Sequence, residues 1–254
     1  MSPRYLDEAT LQAREREILD RALDIISTQG IVAFTMDKLV ANVSFSKGTV
    51  YGHFSSKEDV LAGLCNDNMQ RVAALFSRAT AVDGLTGRER MVSISFAYML
   101  SVLMAPQHFT LVMHAKTEMF EKASLARQAE HDQLDEKLVS IISGVIEQAI
   151  IDNELVLQAE SSVQEVSFST WAMAFGTISL LLNGEKACST LTGLMLENRV
   201  IAHANIVMDG LGWVKSKGNQ NHLLSRLKEE VFVSEMEVLG NIGIDLPCHT
   251  EGEC

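Results

Sequence analysis

Ser46-Lys47-Gly48-Thr49-Val50-Tyr51-Gly52-His53-Phe54-Ser55-Ser56-Lys57-Glu58-Asp59-Val60-Leu61 is the stretch on which the fold turns. Ser46 stands where a serine caps a helix, and Val50, Tyr51 and Phe54 follow as that short helix's large side chains. Ser55 with Glu58 three positions on has the spacing of a capping box, and Val60, Leu61, Leu64, Met69, Val72 and Leu75 continue from it as a long helix ending near Ala79. Upstream, Thr35 caps another short helix, whose Met36, Leu39, Val40 and Val43 recur at i, i+3, i+4 and i+7, with Asp37 facing the positive end of its dipole. Ser44 and Phe45 join the two short helices. Residues 11 to 29 put Ile18, Leu19, Ala22, Ile25 and Ile26 on one face of a first helix, closed by Gly30. Two short helices on a tight turn, set between two longer ones, make a helix-turn-helix.

Downstream of Asp83-Gly84-Leu85-Thr86-Gly87 the pattern becomes a series of long apolar helices: roughly 88 to 104, stopped by Pro106, then 107 to 122, 124 to 151, 161 to 183, 192 to 216 and 220 to 240. Only 3 prolines and 6% aromatic residues in 254, with 47% hydrophobic, argue for long uninterrupted helices and against a loop-rich β-sandwich. The expectation is an all-α protein with a three-helix head at 1–60, a larger helical domain at 61–242 and a polar, flexible tail at 243–254. Residues 1 to 8 hold no apolar signal core and no run of 18 apolar residues stands out, so a cytoplasmic protein without a membrane span is expected. Cys65, Cys188, Cys248 and Cys254 form no C-x-x-C pair, which leaves neither a disulfide framework nor a common zinc site.

The segment from Gly30-Ile31-Val32-Ala33-Phe34-Thr35 through Leu39-Val40 to the quoted stretch resembles, without a gap, the N-terminal DNA-binding domain of the TetR family of bacterial transcriptional regulators. The likeness covers about residues 12 to 62; where the family's turn usually has glycine, this chain has Ser44. It implies a larger C-terminal domain for ligand binding and dimerisation, of which Trp171 to Gly176 is the faintest echo, and a homodimer on a palindromic operator. The implied function is a repressor released by a small-molecule effector. An activator is the nearest alternative; an all-helical small-molecule binding protein or enzyme that has lost DNA binding is the rival from another class.

The residues argue for DNA independently. A reading helix enters the major groove, so it must be short, exposed on one face and able to come close to the duplex. Gly48 and Gly52 each cost a helix about 1 kcal/mol against alanine. Either they let DNA approach, or they let the helix pack tightly on the first helix. The contact set expected is Thr35, Ser46, Lys47, Gly48, Thr49, Val50, Tyr51, His53 and Lys57, with Tyr51, His53 and Lys57 toward phosphates and Lys47, Thr49 and Val50 toward bases. Lys57, in the first turn of a helix, faces an unfavourable dipole that a bound phosphate would reverse.

A net charge of -12 looks wrong for such a partner. Its distribution does not: Lys38 to Lys57 hold three lysines and no acid, whereas residues 61 to 254 carry 14 basic and 24 acidic groups, a net of -10. An acidic body and a basic edge orient an approach to DNA, and a dimer doubles the edge.

In the larger domain, Met91, Tyr98, Met99, His108, Met113, His114 and Thr117 are candidates for an effector cavity, since thioethers adapt to apolar ligands; plain core is the competing reading. Phe168, Trp171 and Phe175 begin a stripe suited to a dimer interface or to core. His114 and Glu118 share a helix face but lack a third metal ligand, and the Cys248–Cys254 tail would lose much entropy on binding a metal, so neither metal nor cofactor is expected. G-x-S-x-G, H-E-x-x-H and P-loop motifs are absent, and no enzymatic activity is expected.

Overall fold

A computed structural model describes residues 7–114, 117–158, 161–184, 189–216 and 218–246, and the side chains of all of these but 114, 117, 118, 183 and 184. The protein is all-α. Among the described residues the β-like pairing is one isolated bridge, Leu155 to Trp213. Contacts divide the chain into two compact units, one formed by residues 1–70 with 105–135, the other by 71–104 with 136–254.

The first unit begins with α1 (Glu8–Gln29), capped by the Asp7 carboxylate on the Thr10 amide at 2.7 Å. Gly30 ends it at φ +82°, a conformation a side chain would strain, and donates to the Ile26 carbonyl. Thr35 caps α2 (Met36–Ala41) and Ser46 caps α3 (Lys47–His53), as their spacing requires. The cap of α4 (Lys57–Thr80) lies one residue later than expected. The Ser56 hydroxyl accepts from the Asp59 amide at 3.0 Å, while Asp59 turns back to accept from the Ser55 amide and hydroxyl at 2.9 and 3.1 Å. Phe54 causes the shift: it is extended and buried, so the chain needs Ser55 to turn before a helix can start.

Ile18, Leu19, Ala22, Ile25 and Ile26 of α1 close over Phe34, Leu39, Val50, Phe54, Val60, Leu61 and Leu64 as one core. Leu111 of α6 (Pro106–His114) and Met119 of α7 (Thr117–Glu121) belong to the same core. The compact unit therefore does not stop at the expected boundary after residue 60. α4 runs on without a break, and 105–135 supply apolar surface that α1, α2 and α3 alone lack. Burial pushes the Cys65 thiol up to about 12, leaving it a small neutral packing group.

The second unit is built on α5 (Gly87–Met104), apolar nearly all round and buried along most of its length. α9 (Val163–Gly184) and α10 (Leu196–Gly210) pack against each other and on α5, with the latter half of α8 (Leu125–Ile151) in the same unit. α10 ends short of the expected residue 216 because Gly212, at φ +90°, lies so close to the Val156 carbonyl that no Cβ fits, and the chain turns to pair with 154–156. The helix expected over 220–240 divides into α11 (Gln220–Arg226), a π turn at Leu227–Val231 and α12 (Val233–Asn241). Within that turn Lys228 is buried, paired with buried Glu197 at 2.8 Å. The helix expected over 107–122 is α6 and α7, and the tail beyond residue 246 lies outside the described residues. Among the described residues, Val163–Leu182 is long and apolar enough to cross a membrane by length and composition; it packs on α5 and α10.

Candidate nucleic-acid interface

α3 has seven residues, and its turn of 3.6 residues sorts them by face. Val50 points inward and is fully buried, so its expected place among the base contacts is corrected: it is the bolt that fixes α3 to the core. Gly48 and Gly52, one turn apart, lie on the opposite side. A Cβ at Gly52 would meet nothing within 4 Å, and at Gly48 only the Ser46 hydroxyl at 3.8 Å. Close packing on α1 therefore does not account for either glycine. Their bare backbone is the outermost surface of α3, flanked by Lys47 and exposed Tyr51 on one side and Thr49 on the other.

The polar groups at this edge are held in place. Ser46 accepts from the Thr49 amide at 3.1 Å and shares a 2.9 Å hydrogen bond with its hydroxyl. The Lys47 ammonium lies 3.2 Å from the Asp37 carboxylate and 5.5 Å from the Tyr51 ring centre, and the bond to Asp37, with its charge, raises the lysine pKa. Asp37 sits immediately before the acid-free window, so folding returns to the edge a charge that a linear count left out. Lys38 donates to the Gln29 side chain at 2.9 Å and the Ala33 carbonyl at 2.8 Å, tying down the loop ahead of α2. Thr35 is exposed at the start of α2, its hydroxyl accepting from the Lys38 amide.

Two residues expected at phosphates have other partners. His53 is turned inward, its Nδ1 3.8 Å from Glu15 on α1, because it falls three residues after Val50 on the face packed against that helix. The Lys57 ammonium donates to the Ile31 carbonyl at 2.9 Å and lies 5.9 Å from the Phe34 ring centre, pinning the α1–α2 loop to the start of α4.

The expected effector residues are divided between the two units. Met91 and Tyr98 share a cavity of about 30 Å³ in the second unit with Phe76, Ile94, Trp171 and Ala174. Met99, a quarter-turn round α5, is fully buried core. His108, buried, and Met113, exposed, belong to the first unit, and the side chains of His114 and Thr117 lie outside the described residues. Tyr98 accepts a hydrogen bond from the Trp171 indole, and burial pushes its phenol up to about 12, so it stays a neutral hydroxyl. Along α9, the rings of Phe168, Trp171 and Phe175 follow one another, tilted, with centres 6.3 and 5.6 Å apart, and Phe168 is 63% exposed, as is Ile206 on α10. Among the described residues no three His, Cys, Asp or Glu groups cluster as metal ligands; the His114–Glu118 pair and the cysteine tail fall outside that set.

Sequence reasoning missed Asp37, Glu15, Asp59 and Arg127. Asp37 had a local signal, its position next to Lys38. Glu15 and Arg127 meet across 112 residues with an Nη2–Oε1 distance of 2.6 Å, and no periodicity announces that pair.

A buried-core helix-turn-helix with an open outer face on α3 defines the class of helix-turn-helix DNA-binding domains. Residues 18–64 match the family described as bacterial regulatory proteins, tetR family. An HTH-type transcriptional repressor of Mycobacterium tuberculosis is 32% identical over 82 residues, which are 32% of this chain and 42% of that protein; the likeness spans less than half of the relative's length. Among solved structures, the TetR family regulator PfmR of Thermus thermophilus is similar with a TM-score of 0.58 at 16% identity, over 76% of this chain and 98% of that one. The regulator FadR of Bacillus subtilis, solved in complex with stearoyl-CoA, is similar with a TM-score of 0.57 at 15% identity, over 78% and 97%. The head is a tetR-family DNA-binding domain, and the chain has the fold of that family's regulators.

Proposed function

We propose that the protein is a homodimeric transcriptional repressor of the cytoplasm that holds a palindromic DNA operator and is released when a small apolar effector fills its second unit. The observation that carries this reading is the glycine pair on α3. Gly48 and Gly52 serve no internal contact, yet they leave the backbone bare on the face that a groove-reading helix turns to DNA. Lys47, Thr49 and Tyr51 border that face and supply donors for bases and phosphates. Lys57 keeps a phosphate role alongside its bond to Ile31, since an ammonium has three donors.

Dimerisation is supported by the aromatic ladder of α9 and Ile206 of α10, apolar surface that a twofold partner would cover, and by the symmetry of a two-half-site operator. The effector reading rests on the cavity between Met91, Tyr98 and Trp171. At about 30 Å³ it holds little more than a water, so an effector must open it by moving Trp171 off Tyr98. FadR of Bacillus subtilis was solved with stearoyl-CoA, which makes long-chain acyl-CoA a first probe here.

The test is to select fragments of the source genome with the purified protein and to titrate the winners in mobility-shift assays. Nanomolar binding to fragments sharing an inverted repeat, one dimer per site by light scattering, is expected. Binding of acyl-CoA by a protein that selects no DNA would instead establish the rival, a helical small-molecule binding protein.

A further inference from the structure

The first two turns of α8 grip the segment that follows the reading helix. At its start, the Asp59 carboxylate divides its oxygens: one accepts from the Ser55 amide and hydroxyl, just after α3, and the other from the Ser124 amide and hydroxyl, just before α8, at 3.0 and 2.7 Å. One turn on, Arg127 sits at the centre of a second grip. Its Nη2 meets Glu15 at 2.6 Å, its Nη1 meets Glu130 at 2.9 Å, and its guanidinium carbon lies 5.0 Å from the centre of the Phe54 ring. The other oxygen of Glu15 faces His53, the last residue of α3, at 3.8 Å. Gly63 of α4 makes room for this convergence, since a Cβ there would stand 3.0 Å from Phe54 and 3.8 Å from Arg127. Arg127 is mostly buried, its side chain 13% exposed. An arginine so placed has lost much of its hydration and holds two carboxylates and a ring in fixed geometry.

α8 is one uninterrupted helix, Leu125–Ile151, and 15 residues beyond Arg127 the same helix presents Ile142 to the cavity of Met91, Tyr98 and Trp171. We propose that Arg127 is a positioning residue for DNA binding: through Glu15 and Phe54 it makes the orientation of α3 depend on the first turns of α8. The proposal rests on the regulator reading above and names a residue that orders the reading helix without touching DNA. It gives Arg127 no contact with DNA. A shift of α8 by a fraction of a turn would draw the guanidinium off the Phe54 ring and off Glu15, freeing the end of α3.

Glu15→Gln is the sharpest test, because the two effects on DNA binding have opposite signs. Removing an acid from a DNA-binding head strengthens binding by long-range charge alone; loosening the grip weakens it. The full chain, Glu15→Gln, Arg127→Met, the double variant and Arg127→Lys are titrated against the genomic fragment selected by the unaltered protein, at several salt concentrations, with hydrogen exchange of the α3 amides followed in parallel. Glu15→Gln and Arg127→Met should each weaken binding about five- to tenfold, and the double variant should be no worse than Arg127→Met, since both break one contact. The slope of log affinity against log salt should stay unchanged. α3 amides should exchange faster while those of α9 and α10 do not, and Arg127→Lys should recover part of the affinity. Tighter binding by Glu15→Gln, or a lowered salt slope in Arg127→Met, would overturn the proposal, the latter by making Arg127 a phosphate contact. If Arg127→Met does not fold, Glu15→Gln and Arg127→Lys decide the question. If the unaltered protein selects no DNA, the regulator reading fails, and the grip is judged by α3 exchange alone: unchanged protection in Glu15→Gln refutes it.

Discussion

Replacing Gly52 by alanine, alone and together with Gly48→Ala, should move stability and DNA binding in opposite directions. Both glycines lie within α3 without positive φ, so alanine fits the backbone, and the space its methyl would enter holds no protein atom closer than the Ser46 hydroxyl at 3.8 Å. Alanine is favoured over glycine by about 0.8–1 kcal/mol inside a helix. Since α3 is short and both positions are near its ends, about 0.5 kcal/mol each is the fair expectation, or about 1 kcal/mol for the pair. In a chain of this size that raises the melting temperature by about 2–4 °C. If the bare backbone is where the duplex comes close, each methyl occupies that space and costs on the order of 1–3 kcal/mol of operator affinity, about 5- to 150-fold. Calorimetry and mobility-shift titration on the same preparations read the two effects. A lowered melting temperature would mean that the glycines serve internal packing after all. Unchanged DNA affinity in the stabilised variant would mean that α3 does not present this face to the duplex.

Lys228→Met takes from Glu197, 1% exposed in its side chain, the cation it pairs with at 2.8 Å and should cost about 3–5 kcal/mol in denaturant unfolding, whereas Lys228→Met with Glu197→Leu should recover most of the loss. Burial opposes ionisation of Asp59, but hydrogen bonds from Ser124 and Ser55 outweigh it and hold its carboxyl below the usual range. Because the folded pKa is the lower one, its ionised form contributes stability that is complete above the unfolded value near 4 and disappears as pH falls through the folded value. The stability gap between the protein and Asp59→Asn should therefore be full at pH 6–7 and close below about pH 4; a gap independent of pH would refute the assignment. Phe168→Glu and Trp171→Glu should each give monomers by light scattering at micromolar concentration, and dimers of unchanged affinity would place the interface elsewhere.

The helix-turn-helix was legible because its determinants are local. Thr35 and Ser46 cap the helices that follow them, Gly30 takes the conformation a helix end needs, and the apolar spacing of α1 marks the residues its core uses. Caps and periodicity act within a few residues, and such short-range signals survive in a linear string. Where two local options competed, tertiary packing chose. Ser56 rather than Ser55 caps α4 because Phe54 must be extended to reach the core. Val50 and His53 turned inward because a seven-residue helix has one face to anchor and one to offer, and register against α1 decides which is which. The methionine-rich stretch leaves cavity and core open because composition carries no direction: Met91 lines a cavity, Met99 is buried core, and His108 and Met113 belong to the other compact unit. Long-range charge was the least legible of all. The pairing of Lys47 with Asp37, of Lys228 with Glu197 and of Arg127 with Glu15 depends on which helices the chain brings together, and a side chain's charge encodes no address for its partner.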